Sequence, residues 1–201
     1  SAGSGGAGMV VALPGHPQLP ESLAAVCSLL AHRKFAVSFV DRGGVRALLN
    51  LPKGPLTYHG FARCLFGVAQ VTSAMERVLA PPASSTAAAA RRCVEAALQA
   101  LDGGHDSARR HAANFLSLSF PFPAILDAFD AMGGLRLLLN LLRHAAQLAT
   151  GASAQAKQTA SHACHALRQY CRAHLHRRVT LALAGAPADG TSGGGGGAGS
   201  G

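Results

Sequence analysis

The C-terminal third of the sequence concentrates side chains of the kind that hold metal ions. Imidazole nitrogens and thiolates are ligands that zinc prefers, but a structural zinc site usually draws on closely spaced ligand pairs. The candidates here follow a single predicted helix without that pairing: His162, Cys164, His165, Cys171, His174 and His176. Cys164 and Cys171 share the predicted apolar stripe of Ala163 and Leu167, which favours packing in the core over metal binding. No metal or other cofactor is predicted.

Nucleophilic catalysis by one of the five cysteines would need a thiol activated by a nearby base or positive charge. No motif of that kind surrounds any of them. Cys27, Cys64 and Cys93 each fall on the apolar face of a predicted helix, so we expect buried and unreactive thiols. An odd number of widely spaced cysteines, with no recognisable signal peptide, indicates reduced thiols in a cytosolic or nuclear protein.

Two further patterns resemble catalytic or binding motifs without completing them. Gly103-Gly104 and Gly133-Gly134 precede helices, yet they lack the Lys-Ser/Thr of a P-loop and the preceding strand of a dinucleotide fold. Asp127 and Asp130 are three residues apart, a spacing open to acid–base chemistry, but no partner base accompanies them. A solvated face is the simpler prediction for this pair, and an enzyme is not predicted.

The charge is strongly unbalanced towards the C-terminal third. The chain has 18 basic and 9 acidic residues, for a net charge of +9, and residues 131–188 contain no acidic side chain. Such a field favours an acidic partner, either nucleic acid or an acidic protein surface, although a solvated basic face without a partner remains open. The cations of this segment are Arg136, Arg143, Lys157, Arg168, Arg172, Arg177 and Arg178.

A helix predicted over residues 157–179 aligns four of its side chains in one stripe. The four residues of this basic stripe are His165, Arg168, Arg172 and His176. Arginine suits carboxylates because its planar fork can bind them in a bidentate manner, so we expect contact with an acidic protein surface. The alternative is a solvated face that only keeps the protein soluble.

These side chains must be positioned by helices, because apolar residues recur at the helical interval and no segment alternates as a strand does. The 49% apolar and 13% charged composition excludes a wholly disordered chain, and no apolar run is long enough to span a membrane. Residues 1–8 and 185–201 are predicted to be flexible, which leaves residues 9–184 for an all-α fold. The four clearest apolar faces are Leu23/Val26/Cys27/Leu30, Phe61/Cys64/Leu65/Val68, Val94/Ala97/Leu98/Leu101 and Leu135/Leu138/Leu139/Leu142.

An internal repeat makes the architecture more specific. Residues 39–51 (FVDRGGVRALLNL) return as residues 129–141 (FDAMGGLRLLLNL), with 8 of 13 positions identical at an offset of 90. That offset is two periods of about 45 residues, the length of an armadillo or HEAT unit, and a degenerate middle copy falls at residues 93–119. This repeat predicts about three to four units, with Gly43-Gly44 and Gly133-Gly134 at sharp turns between helices.

Several stretches resemble the Vpr-binding protein family, the large DDB1- and cullin-4-associated factors. They are residues 39–45 (FVDRGGV), 64–66 (CLF), 75–78 (MERV), 124–130 (AILDAFD) and 166–175 (ALRQYCRAHL). The resemblance covers about residues 35–178 and implies part of that family's N-terminal armadillo-like region. It assigns no individual site residues. It also implies a substrate receptor of a cullin-4 RING ubiquitin ligase, with the nucleus as its main location and the cytoplasm as a second one. That family binds its adaptor through a WD-repeat propeller, for which this tryptophan-free chain shows no pattern.

Two functions follow, in order of preference. The first is a non-enzymatic interaction scaffold within such a receptor, whose partners are ubiquitin-ligase substrates or the rest of the receptor. The second is a basic helical-repeat module that binds nucleic acid directly. The chain has two tyrosines, no tryptophan and no aromatic residues interleaved among the cations, so it offers few rings on which bases could stack. This makes the second function less favoured. No membrane partner is expected.

Overall fold

The computed structural model describes residues 18–80, 83–147 and 153–185, and the regular structure in these ranges is entirely helical. The all-α prediction is therefore confirmed for the described part of the chain. The predicted flexible segments lie outside it, except that Gly185 is the last residue of a helix. The helices are α1 (Leu19–Leu30), α2 (Arg33–Asp41), α3 (Gly44–Asn50), α4 (Tyr58–Ala69), α5 (Thr72–Val78), α6 (Ala83–Gly103), α7 (Asp106–Ser119), α8 (Pro123–Ala131), α9 (Gly134–Gln147) and α10 (Ala154–Gly185).

The predicted apolar faces match the buried faces of these helices closely. All four predicted residues are buried on α4 and on α6, and three of the four are buried on α1. On α9 only Leu138 is fully buried, whereas Leu139 is 42% exposed, contrary to the prediction. The period is right, but the side of α9 that faces the core is set by its packing against α6, α8 and α10. Helix α5, which is only seven residues long, was not predicted.

The helices pack in a repeating order. Helix α4 lies between α1 and α7, α7 lies between α4 and α10, and α6 contacts both α3 and α9. One continuous apolar cluster, from Leu19 to Ala166, runs through these contacts.

Within the described ranges no single helix has the length and hydropathy to cross a membrane. The bent pair α1 and α2, whose axes meet at 119°, passes that test of length and composition when taken together.

The repeated Gly-Gly pairs occupy equivalent junctions, between α2 and α3 and between α8 and α9. Gly43 has φ 76° and Gly133 has φ 67°, a left-handed conformation that glycine adopts without steric cost. A Cβ on Gly44 would lie 2.5 Å from Phe39 Cδ2, and one on Gly134 would lie 2.5 Å from Phe129 Cδ2. The first glycine therefore permits the turn and the second permits the close approach. The Gly103-Gly104 pair is different, because it joins α6 to α7 without a positive φ.

An aromatic cluster fixes α8 and α10 against the end of α7. The ring centroids of Phe120 and Phe129 are 4.9 Å apart in an edge-to-face arrangement, and that of Tyr170 lies 5.5 Å and 5.6 Å from them. Phe120 and Phe129 are almost fully buried. Such pairs are typically worth about 0.5–1.5 kcal/mol beyond the area that they bury. This cluster determines which side of α10 faces the protein and which side faces solvent.

Candidate functional site

The basic stripe lies on α10, as predicted. Arg168, Arg172 and His176 are exposed and His165 is half-buried. A guanidinium nitrogen of Arg168 lies 3.1 Å from Nδ1 of His165, so these two side chains are held together on the helix surface. The helix itself is longer than expected, with 32 residues. The stripe is therefore accessible over about three turns of α10.

The side of α10 that packs on the protein is not the one expected from its cysteines. Thr159, Ala163 and Ala166 are buried, whereas Cys164 and Cys171 are exposed, so the predicted burial of these two cysteines is wrong. The helix turns its small residues towards α7 because they allow a close approach, which leaves both thiols on the opposite side. Within the described residues no group of three or more His, Cys, Asp or Glu side chains could hold a metal ion.

The carboxylates of α8 are exposed, as predicted, and both of them also contact side chains of α10. The hydroxyl of Tyr170 donates to Asp130 Oδ1 at 2.7 Å, and His174 Nε2 lies 3.1 Å from Asp130 Oδ2. Arg177 forms an ion pair with Asp127. Burial, reinforced by the Asp130 carboxylate, raises the pKa of Tyr170 to about 12, so this hydroxyl remains a donor at physiological pH. The Tyr170 hydrogen bond and the Arg177 ion pair clamp α10 to α8, a role that the spacing of the two aspartates does not indicate. His174 Nε2 makes no hydrogen bond among the described residues, so it adds proximity only.

Replacement of Tyr170 by phenylalanine tests this clamp, because it keeps the ring and removes the donor. A hydrogen bond to a charged group is worth about 1.5–3 kcal/mol, and partial exposure of Asp130 places the expected loss at the lower end. We expect the free energy of unfolding in urea to fall by about 1–2 kcal/mol. Tyr58→Phe is the matched control, because the Tyr58 hydroxyl has no hydrogen-bond partner among the described residues. Equal effects of both changes would contradict the clamp.

A groove of about 470 Å³ opens beside the clamp, between the second half of α10 and the turn that joins α7 to α8. Arg172 and His176 of the basic stripe line it, whereas His165 and Arg168 do not. The remaining walls could not be predicted from the sequence, because they depend on how α8 and the turn before it lie beside α10. These are formed by Pro121, Pro123, Leu126, Gln169, Ala173, Arg177, Thr180 and Leu181.

A second group of side chains lies where α4, α7 and α10 meet. The ring of His111 lies 5.2 Å from that of His59 and 5.9 Å from that of Phe66, and its Nδ1 is buried without a hydrogen-bond partner in the described part. Burial, together with the positive neighbours, lowers the pKa of His111 to about 4. Burial lowers the pKa of His59 and of His162 as well. This cluster is suited to packing as neutral imidazoles.

The start of α7 differs from what its sequence predicts. Asp106 and Ser107 are residue types that cap helices, so one of them is predicted to cap α7, yet the N-cap residue is His105, without a side-chain capping bond. The hydroxyl of Ser107 instead lies 3.0 Å from Nδ1 of His59, on the neighbouring helix α4. The polar residue predicted to satisfy its own helix is thus used between helices.

The three remaining cysteines are buried, which confirms that part of the prediction. Burial raises the pKa of Cys93 to about 12. Cys64 shares a hydrogen bond with Cys27, and this bond together with burial raises the pKa of the Cys64 thiol. Its Sγ also donates to the carbonyl oxygen of Leu23 at 3.5 Å. These environments keep the thiols of Cys93 and Cys64 protonated and therefore weakly nucleophilic.

Comparison with known proteins places this helical chain in a family. Residues 19–82 match the model of the Mahjong helical domain. The chain is 41% identical over 169 residues to DDB1- and CUL4-associated factor homolog 1 of Arabidopsis thaliana, an alignment covering 79% of this chain and 9% of that protein. It is 34% identical over 167 residues to Protein mahjong of Drosophila melanogaster, covering 77% of this chain and 11% of the relative.

A third relative gives the same result at a lower identity. DDB1- and CUL4-associated factor homolog 1 of Caenorhabditis elegans is 30% identical over 167 residues, which cover 79% of this chain and 10% of that protein. The chain belongs to the DDB1- and CUL4-associated factor 1 family. It spans about a tenth of the length of the curated relatives that it matches.

Proposed function

We propose that this chain is a non-enzymatic protein-interaction scaffold, part of a substrate-receptor subunit of a cullin-4 RING ubiquitin ligase. The observation that carries the proposal is the 41% identity, over 79% of the chain, to a protein named as a DDB1- and CUL4-associated factor homolog. In this function the chain performs no chemistry. It holds a surface in place for a ubiquitin-ligase substrate or for another part of the receptor.

The scaffold is, in this proposal, an armadillo-type array. Three successive units, α1–α3, α4–α6 and α7–α9, are followed by α10, which occupies the place of a first helix in a fourth unit. The order of packing supports this assignment, because α1, α4, α7 and α10 follow one another in contact, as do α3, α6 and α9. The equivalent glycine turns before α3 and α9 support it as well. Such arrays expose long surfaces that suit protein partners.

The basic stripe of α10 is the proposed contact surface, and its partner is an acidic protein surface. Arg168 and Arg172 are exposed and lack an ion-pair partner among the described residues. We also propose that the receptor is located in the nucleus, with the cytoplasm as a second location. Direct binding of nucleic acid is the second candidate, favoured by the net charge of +9 alone.

Affinity purification of the full-length protein followed by mass spectrometry tests the proposal. We expect cullin-4 and its adaptor among the partners of the full-length protein. The 201-residue chain by itself should not recover the adaptor, because the propeller that the family uses for docking has no counterpart in its sequence pattern. RNA or chromatin factors without any ligase subunit would contradict the first function and favour the second.

A further inference from the structure

We propose that the groove between α10 and the α7–α8 turn binds an acidic peptide segment that inserts one large apolar side chain and places carboxylates beside Arg172 and His176. This inference rests on the proposed function, because it takes the partner to be a protein, and it specifies which part of the surface is used. Of the basic stripe, only the half formed by Arg172 and His176 lines the groove.

The groove offers an apolar seat that no part of the described chain covers. Leu126 forms a buried floor, the rings of Pro121 and Pro123 form one wall, and Leu181 on the opposite wall is 64% exposed. The volume of about 470 Å³ lies within the range of roughly 300–1,000 Å³ that is typical of ligand pockets. It accommodates one large side chain together with its adjoining backbone. Uncovered apolar surface with a polar rim is typical of interaction sites.

The charges around the groove determine the chemistry of the occupant. Arg177 is already paired with Asp127, whereas Arg172 has no ion pair or hydrogen bond among the described residues. No acidic side chain lines the groove. A guanidinium with unpaired N–H donors at the edge of an apolar groove is complementary to a carboxylate that lies close to an apolar side chain. His176 adds an imidazole N–H that can donate a hydrogen bond to a second carboxylate oxygen.

The same features favour a peptide over a nucleic acid. None of the lining residues is a phenylalanine, tyrosine or tryptophan, so bases find no ring on which to stack. A phosphate backbone needs several unpaired cations in a row, whereas the groove supplies one free arginine and one histidine. The apolar floor would remain unused by a phosphate backbone. A short acidic segment with one leucine-like residue uses both the seat and the charge.

The probe that tests this inference is a fluorescein-labelled peptide with a single leucine flanked by glutamates, titrated with the 201-residue chain in an anisotropy assay. We expect saturable binding that weakens as salt is added. Peptides with lysines in place of the glutamates, or serine in place of the leucine, should bind at least about tenfold more weakly, which corresponds to about 1.4 kcal/mol. A labelled oligo-deoxythymidine serves as the nucleic-acid probe.

Matched variants place the binding in the groove. Arg172→Glu should weaken binding of the acidic peptide at least tenfold, whereas Arg168→Glu, the same change outside the groove, should weaken it less than about threefold. Leu181→Ser should weaken binding, and Leu183→Ser, at a 72% exposed position outside the groove, should not. All four positions are exposed, and circular dichroism confirms that each variant keeps its helicity.

Three results would contradict peptide binding in the groove. The first is no binding of the acidic peptide at millimolar concentration, and the second is an equal loss of affinity in the Arg168 and Arg172 variants. The third is tighter binding of the oligonucleotide, with the same dependence on the variants. The proposed function is separable from these outcomes. If ligase subunits are recovered with the full-length protein but the 201-residue chain does not bind the peptide, only the proposed peptide site is refuted. Peptide binding without any ligase subunit would refute the ligase function alone.

Discussion

A valine in place of Gly134 is expected to lower the melting temperature of the chain by roughly 5–10 °C. The new Cβ would lie 2.5 Å from Cδ2 of Phe129, a ring that is fully buried against Phe120 and Tyr170 and therefore has no space into which to move. Overpacking of this kind costs about 1–3 kcal/mol, and in a chain of this size each kcal/mol shifts the melting temperature by about 2–4 °C. Thermal unfolding followed by circular dichroism measures the effect.

The equivalent turn provides a replicate, and another glycine provides the control. Gly44→Val should be destabilising for the same reason, because its Cβ would lie 2.5 Å from Phe39 Cδ2 and 2.6 Å from the Phe39 carbonyl oxygen. Gly54→Ala should leave the melting temperature almost unchanged, since a Cβ there meets open space and the backbone has no positive φ. Unchanged melting temperatures in both valine variants would show that the close approach at these turns is not required.

Acidification from pH 6.5 to pH 4 should destabilise the fold through His111. Its pKa is about 4 in the folded chain and about 6.5 when unfolded, so the unfolded state binds a proton that the folded state does not across this interval. The stabilisation is fully present above pH 6.5 and is lost as the pH falls towards 4. The groups facing the ring are cationic or become so: His59 and Arg63 from α4, Arg110 from α7 and His162 from α10.

The pKa difference alone would correspond to about 3 kcal/mol, but water screens a ring that is only half-buried, so we expect a loss of about 1–2 kcal/mol. Urea unfolding at pH 7, 5.5 and 4 measures it. His111→Leu should flatten this dependence because it removes the titrating group and its unpaired Nδ1. His32→Gln, at an exposed position, should retain the slope of the parent. Identical slopes in the parent and in His111→Leu would contradict the role of His111.

The helices could be predicted from the sequence because their apolar residues recur at a regular interval that survives in the fold. Phe61, Cys64, Leu65 and Val68 illustrate this, since every one of them is buried. The paired turns could be predicted as well, because only glycine satisfies both the left-handed φ at Gly133 and the contact at Gly134. Local rules of this kind depend on neighbouring residues alone.

The candidate site could be predicted only in part, because it depends on how one helix is rotated against others. The spacing identified the basic stripe, but it placed Cys164 and Cys171 in the core, whereas the close packing of Ala163 and Ala166 on α7 leaves both cysteines exposed. The exposure of the α8 aspartates could be predicted, but their partners on α10 could not, because those lie some 40–50 residues further along the chain. Contacts at that separation have no signature in a single sequence.

The proposal that this chain holds a partner for a cullin-4 ligase is tested by affinity purification of the full-length protein. In the test variant both arginines of the basic stripe are reversed in charge, as Arg168→Glu with Arg172→Glu. Quantitative mass spectrometry at increasing salt compares it with the parent. We expect cullin-4 and its adaptor to be recovered equally, while a subset of acidic partners is lost from the variant and shows the steepest salt dependence in the parent. Recovery of the same partners in both proteins across the salt series would contradict the proposed scaffold.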